Sequence, residues 1–443
     1  MSRNAWPIAN ASRAAVAAAA IGVGAVAAAA PHLYHSRQPS RAASEPLRLG
    51  PPVGMPGAPP TSADGLRQRR AELEARLERN PHDAGAALLL ADALLRQARA
   101  GGDGRPANRA AAIVAGVLKD DPGQYDALRL LGAVDLSRHR FRDALDVARR
   151  ARDLRPSDAW NYGVMGDALI ELGDYDAAFD AFDTMAAMRP GADAYARISY
   201  ARELRGDLSG ALGAMQLAAS STSAHDAEAK AWYVAHTGEL YLRLGRVAEA
   251  ERAFRHAAFF YPGYPFAVVG IGKVFAARGQ RDEALAAYRD QFTRTPTLDL
   301  AARMGDLYAA RGDAAEADRY YRLAEEVAGP LPAQTEANLA LFLADHDRRL
   351  PDALAIAQAV AAVRHDIVTE DALAWSLFKM GRVAEAFTVS QRALRTGTRD
   401  ERILAHAAAI RARAEVARTF SSEAKRSLDG ADAVRDGALD RRR

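Results

Sequence analysis

There is no cysteine anywhere in the 443 residues. That excludes disulfides, thiolate metal sites, cysteine nucleophiles and a lipidated cysteine, and it leaves the redox compartment open. Aromatic residues are scarce at 7%, and neither sign of charge dominates: 59 basic against 56 acidic residues leave a net charge of +3. Long Val/Ile/Thr alternations of the strand type are also missing, so the chain reads as all-α. No concentrated basic stripe occurs. Arg149, Arg150 and Arg152, like Arg348 and Arg349, form short runs interleaved with Asp and Glu. They read as solvated faces, and no nucleic-acid partner is expected.

Catalytic constellations are lacking too. There is no His-Glu-x-x-His, no Gly-x-Ser-x-Gly and no Gly-rich phosphate loop. Gly22-Val23-Gly24 sits in an apolar N-terminal run, and Gly270-Ile271-Gly272 falls inside a helical pattern. His236 and His256 lie on neighbouring helices of one unit and could share a site, but each reads first as packing or solvent-facing. Ser220–Ser223 reads as a loop, and Glu325 and Glu326, adjacent on a helix, point apart. The chain is read as non-enzymatic, with no catalytic residue, metal or cofactor expected.

What is present is a motif that returns about every 34 residues. It runs through Leu131-Gly132, Phe141, Ala144 and Pro156, then Gly166, Leu169, Gly173, Tyr175, Ala178, Phe182 and Pro190. It returns at Gly238, Tyr241, Gly245, Ala250, Phe254 and Pro262, and again at Gly272, Phe275, Gly279, Ala284, Tyr288 and Pro296. Such a period means stacked helix pairs rather than one globular core. Gly132, Gly166, Gly238, Gly272 and Gly305 recur inside the first helix, helix A. Glycine there costs about 1 kcal/mol relative to alanine, so its return at one phase implies close approach of the second helix, helix B. Gly173, Gly206, Gly245, Gly279, Gly312 and Gly381 are placed to close helix A. Asp174, Asp207, Asp282 and Asp313 open helix B, and Pro156, Pro190, Pro262 and Pro296 stop it.

These residues resemble the tetratricopeptide (TPR) repeat family, over most of residues 66–418. The resemblance implies a TPR-type α-solenoid: a right-handed superhelix of antiparallel helix pairs, about nine to ten units long. Regular units are placed at 125–156, 159–190, 192–219, 231–262, 265–296 and 298–328, with degenerate units at both ends. Before them come a charged helix at 66–79 and a pair at 84–99 and 108–119, joined by a loop over 100–106. The polar stretch Ser220–Asp226 interrupts the period and reads as a joint or an edge contact. After Gly329-Pro330 come helices at 333–345, 351–363 and 370–379 and a last helix A at 401–413. The solenoid is bounded at 66–420, with 421–443 a capping helix and basic tail.

Residues 1–30 differ in character. Arg3 and Arg13 precede the uncharged run Ala14–Ala30, and small residues surround Ala27–Ala29. The pattern fits an export signal cut before Pro31, or an uncleaved membrane anchor, in a bacterial-type protein. The chain is expected to be periplasmic or secreted, or anchored to the inner membrane through that segment. Residues 31–65, rich in Pro, Gly and Ser, read as a disordered linker.

In the resembled family helix A lines a concave groove that takes a protein or peptide partner. Phase places Trp160, Asp167, Glu171, Tyr200, Glu203, Trp232, Glu239, Arg243, Lys273, Asp306, Trp375 and Lys379 there, with Phe266 in the same line. Family members that clamp a terminal carboxylate use Lys and Asn at fixed groove positions. The corresponding residues here are Ala133, Asp167, Tyr200, Glu239, Lys273 and Asp306, with no Asn, which implies a partly acidic groove for a basic or mixed peptide. The expected function is a scaffold binding a partner segment in that groove. The alternative is a membrane-anchored assembly factor that recruits an enzyme complex.

Overall fold

The computed structural model describes residues 63–101, 103–329, 337–417 and 419. Expectations for residues 1–62 and 420–443 (signal or anchor, nearly all of the linker, capping helix and tail) lie outside the described residues.

The described residues are helical, with no strand among them. The first three helices are α1 (Ala63–Arg79), α2 (Ala84–Gly101) and α3 (Arg105–Asp120). Six helix pairs follow: α4 (Tyr125–Ser137) with α5 (Phe141–Leu154), α6 (Ala159–Leu172) with α7 (Tyr175–Met188), and α8 (Ala192–Leu204) with α9 (Leu208–Ser221). The other three are α10 (Ala227–Arg243) with α11 (Val247–Phe260), α12 (Pro265–Ala277) with α13 (Arg281–Arg294), and α14 (Leu298–Ala309) with α15 (Ala314–Ala328). Then come α16 (Ala337–Asp345), α17 (Leu350–Ala361), α18 (Ile367–Lys379), α19 (Val383–Ala393) and a helix over residues 401–417, α20. Chain contacts divide into two compact units. Unit 1 is residues 1–331 with 396–399, and unit 2 is residues 332–395 with 400–443.

Each expected punctuation mark has its physical counterpart. The residues before the four prolines, Arg155, Arg189, Tyr261 and Thr295, sit at φ −135° to −146° and ψ 81° to 93°. Proline forces its predecessor out of the helical region, so helix B stops there. The six closing glycines all have positive φ, from 73° to 83°. Asp174, Asp207 and Asp313 cap α7, α9 and α15 through backbone N–H groups. Asp282 does not cap: it stands in the first turn of α13, behind Gln280.

The helix-A glycines explain the pair packing. A Cβ on Gly166 would lie 2.3 Å from the Phe182 ring, on Gly272 2.4 Å from Tyr288, and on Gly305 2.4 Å from Tyr321. Gly132 departs from this rule. Its nearest neighbour is Val164 of the following helix A, at 3.0 Å, because the helix-B position that holds an aromatic elsewhere is Ala148 here.

Two expected boundaries shift. The loop of 100–106 shortens at both ends, because α2 runs on to Gly101 and α3 starts at Arg105 with Pro106 in its first turn. Helix α10 begins at Ala227, four residues before the repeat phase placed it, and α9 runs on to Ser221, into the interruption. What remains of Ser220–Asp226 is tied down. Thr222 and Asp226 are buried, and Lys230 Nζ donates to the carbonyls of Ala219 and Thr222.

Candidate functional site: the inner helix-A row of unit 1

In unit 1, helix A packs against the next helix A at four of the six junctions: α2 with α4, α4 with α6, α6 with α8, and α10 with α12, but not α8 with α10 or α12 with α14. No two helices B approach as closely. The A helices therefore share one face of the stack.

That face is joined by polar contacts passing from one unit to the next. Tyr125 Oη and Arg129 Nε of α4 both donate to Asp158, the N-cap of α6, at 2.8 and 3.1 Å. Arg197 of α8 grips Asp167 of α6 in a two-pronged pair, Nη2 to Oδ2 at 2.6 Å and Nε to Oδ1 at 3.0 Å. Tyr233 of α10 donates to Asp193 of α8 at 2.9 Å, and Arg243 pairs with Glu203. Lys273 of α12 reaches Glu239 of α10 at 2.7 Å. Burial pulls the Lys273 pKa down while Glu239 opposes that shift.

The two tryptophans named for the groove in this unit are packed. Trp160 lies under the Arg129 guanidinium, 4.7 Å from the ring centroid, and Trp232 stacks on His236 at 3.9 Å. Their indole nitrogens are buried with no hydrogen-bond partner among the described residues. Burial drives the His236 pKa down to about 4 and keeps its ring neutral. His256 turns instead to Phe260, ring centroids 4.6 Å apart.

No family model matches the chain, and no curated protein matches it by sequence. Solved structures do match. Human IFIT1, as a dimer with m7Gppp-AAAA, is 14% identical, with 75% of this chain covered, 77% of that chain and a TM-score of 0.50. The fold is that of a tetratricopeptide-repeat solenoid. Cut9, from the APC/C hetero-tetramer Cut9–Hcn1, is 15% identical over 78% of this chain, with a TM-score of 0.47. The chain spans only 59% of the Cut9 chain. Yeast Tom70 is 14% identical, covering 80% of this chain and 87% of that one, with a TM-score of 0.42.

Within the TPR row, the twelve expected groove residues fall into three groups. Trp160, Asp167, Glu171, Trp232 and Lys273 are buried. Tyr200, Glu203, Glu239, Arg243 and Asp306 are partly exposed, and Asp306 accepts from Tyr321 Oη at 3.0 Å. Trp375 and Lys379 belong to unit 2. The acidity read for the groove is largely met from within, since Asp167 and Glu239 face Arg197 and Lys273.

Four residues that the sequence reading did not single out complete the row: Asp158, Asp193, Arg197 and Glu228. Their signal is complementarity across repeats. An acid in one helix A faces a base in the next, 30 residues on for Asp167–Arg197, 34 for Glu239–Lys273 and 40 for Glu203–Arg243.

Unit 2 holds its own charged cluster. His406 of α20 lies flat on Trp375 of α18, ring centroids 4.0 Å apart and planes 6° from parallel. Its Nδ1 is 3.1 Å from both oxygens of Asp371, and its Nε2 is 3.2 Å from Asp345. Burial would depress this imidazole, but the two carboxylates outweigh it and hold the pKa up to about 9. Trp375 also stacks on Phe378, and Lys379 turns to Asp347 at 2.7 Å.

Proposed function

We propose that the chain is a non-enzymatic scaffold that takes a partner protein segment along the inner helix-A row of unit 1. One observation carries this reading: polar side chains held rigid by the neighbouring helix recur along that row, and Tyr200, Glu203, Glu239, Arg243 and Asp306 keep part of their surface in solvent. Charged and aromatic groups already ordered lose little freedom on binding, which favours affinity. A capped RNA, as in the IFIT1 complex, is the weaker reading. Arg197, Arg243 and Lys273 are each neutralised by a carboxylate, and a phosphate backbone needs unneutralised cations.

Site-specific photocrosslinking in the native host tests the proposal. A photoreactive residue at Tyr200, on α8, is expected to capture a protein partner, and the same residue at exposed Leu217, on α9, is not. Capture at Leu217 alone would place binding on the outer row and overturn the reading. Export or anchoring through Ala14–Ala30 is part of the proposal, and the two differ in the mature N-terminus. A start near Ala30 supports cleavage and release, and an intact Met1 start supports the anchored assembly factor.

A further inference from the structure

Helix α2 packs on α1, α3 and α4, and its C-terminal end in addition reaches α10 and Thr295, the residue that follows α13. Arg99 meets Glu228 of α10 in a two-pronged pair, with Nε to Oε1 at 2.8 Å, across 129 residues of chain. The Arg99 side chain is 8% exposed and that of Glu228 1%. Tyr264, the residue before α12, donates to the same carboxylate at 3.2 Å. Thr295 Oγ1 caps the last turn of α2, donating to the Gly101 carbonyl at 3.1 Å across 194 residues. Leu66 of α1 and Ala100 of α2 join the apolar cluster built around Trp232, Phe254 and Tyr264.

A fully buried ion pair contributes little net stability, because desolvation offsets the attraction, but it is unforgiving of a missing partner. Such a pair selects one arrangement over others. With Arg99 withdrawn, the inner face would present Glu228, Asp226 and Asp193, all now buried, around Tyr233 and Tyr264. That is a pocket for a guanidinium flanked by an apolar helix face, the chemistry that α2 itself supplies.

We propose that α1–α2 is an intramolecular latch, and that an arginine-bearing helical segment of a partner competes with Arg99 for Glu228. The inference rests on the groove reading above and adds how the groove is kept closed. The segment in cis acts at an effective concentration on the order of millimolar, so a competitor needs either high affinity or an opened latch.

The test uses the full chain and a fluorescent synthetic peptide copying residues 84–101. Arg99→Glu places like charges together and is expected to open the latch. Hydrogen exchange at 84–101 and 226–233 should rise roughly tenfold, while α14–α15 stays unchanged. The peptide should bind this variant roughly tenfold tighter than wild type, and a peptide carrying Gln at the Arg99 position should not. Adding Glu228→Arg should restore wild-type exchange and abolish peptide binding. Three results would overturn the latch: unchanged exchange in Arg99→Glu, loss of protection throughout unit 1 that the charge swap does not repair, or an opened protein that ignores the peptide. None of these depends on the Tyr200 crosslink. Capture at Tyr200 with a failed latch leaves the groove reading standing, and a working latch without capture leaves the groove without its external partner.

Discussion

At the residue scale one amino acid, glycine, has opposite effects on stability in two helices of unit 1. Gly166 of α6 is pressed against Phe182, with the Ala178 carbonyl 3.1 Å from where its Cβ would stand. Gly213 of α9 is exposed, with nothing within 4 Å of that point. Gly166→Ala is therefore expected to destabilise by about 1–3 kcal/mol through overpacking. Gly213→Ala should stabilise by up to about 1 kcal/mol, the helix propensity regained. Chemical denaturation of the two variants checks both signs, and equal effects would refute the packing role of Gly166. This contrast was half legible in the sequence. The return of Gly166, Gly238 and Gly272 announced a close approach, and the aromatic 16 residues on (Phe182, Phe254, Tyr288) named what approaches. Gly132 shares the glycine but has Ala148 at that offset, so the phase of the glycine alone misassigned its neighbour.

At the scale of elements, two histidines, His406 buried and His236 half-buried, contribute to stability with opposite dependence on pH. The His406 pKa is raised to about 9 in the fold, against 6.5 unfolded. Its contribution to holding α16, α18 and α20 together is complete below pH 6.5 and is lost as pH rises through 9. The expected loss is on the order of 3 kcal/mol. His236, lowered to about 4, behaves in reverse: its contribution to unit 1 falls as pH drops from 6.5 towards 4, because the unfolded chain takes up the proton first, while burial of Asp135 and Asp167, raised to about 6, acts on that unit in the opposite direction. Melting curves across this range, with wild type set against His406→Gln and His236→Gln, check both arms. A His406→Gln variant that still loses stability between pH 6.5 and 9 would refute the first. Neither histidine could be placed from sequence. His236 depends on burial beside Trp232, one turn away, and His406 on Trp375 of a different helix and on two carboxylates, Asp371 and Asp345, brought together only by stacking. The helices themselves were legible, since Pro156, Pro190, Pro262 and Pro296 act locally. The links between helices were not, because each spans two repeats and a reading made one helix at a time sees only half of it.

Across the whole molecule, cohesion within unit 1 comes from residues shared between successive repeats. Phe254 is the clearest case. It is fully buried in α11, and its ring approaches both Gly238 of its own helix A and Gly270 of the next, where a Cβ would come within 2.8 and 2.2 Å. One side chain thus packs a pair together and packs that pair onto its neighbour. Phe254→Ala is expected to cost roughly 3–5 kcal/mol, with the cavity opening at an interface rather than inside one repeat. In a stack held by nearest neighbours such a loss is local in origin and spreads outward. Hydrogen exchange should therefore rise most in α10 through α13 and fall off towards α4 and α5. A uniform loss of protection would mean that unit 1 unfolds as one cooperative body. That outcome would point to the long-range closure by Arg99 and Glu228, which ties the first repeat to the fifth and bypasses the nearest-neighbour chain. The shape of the exchange profile thus separates a stack that yields repeat by repeat from one clamped across its inner face.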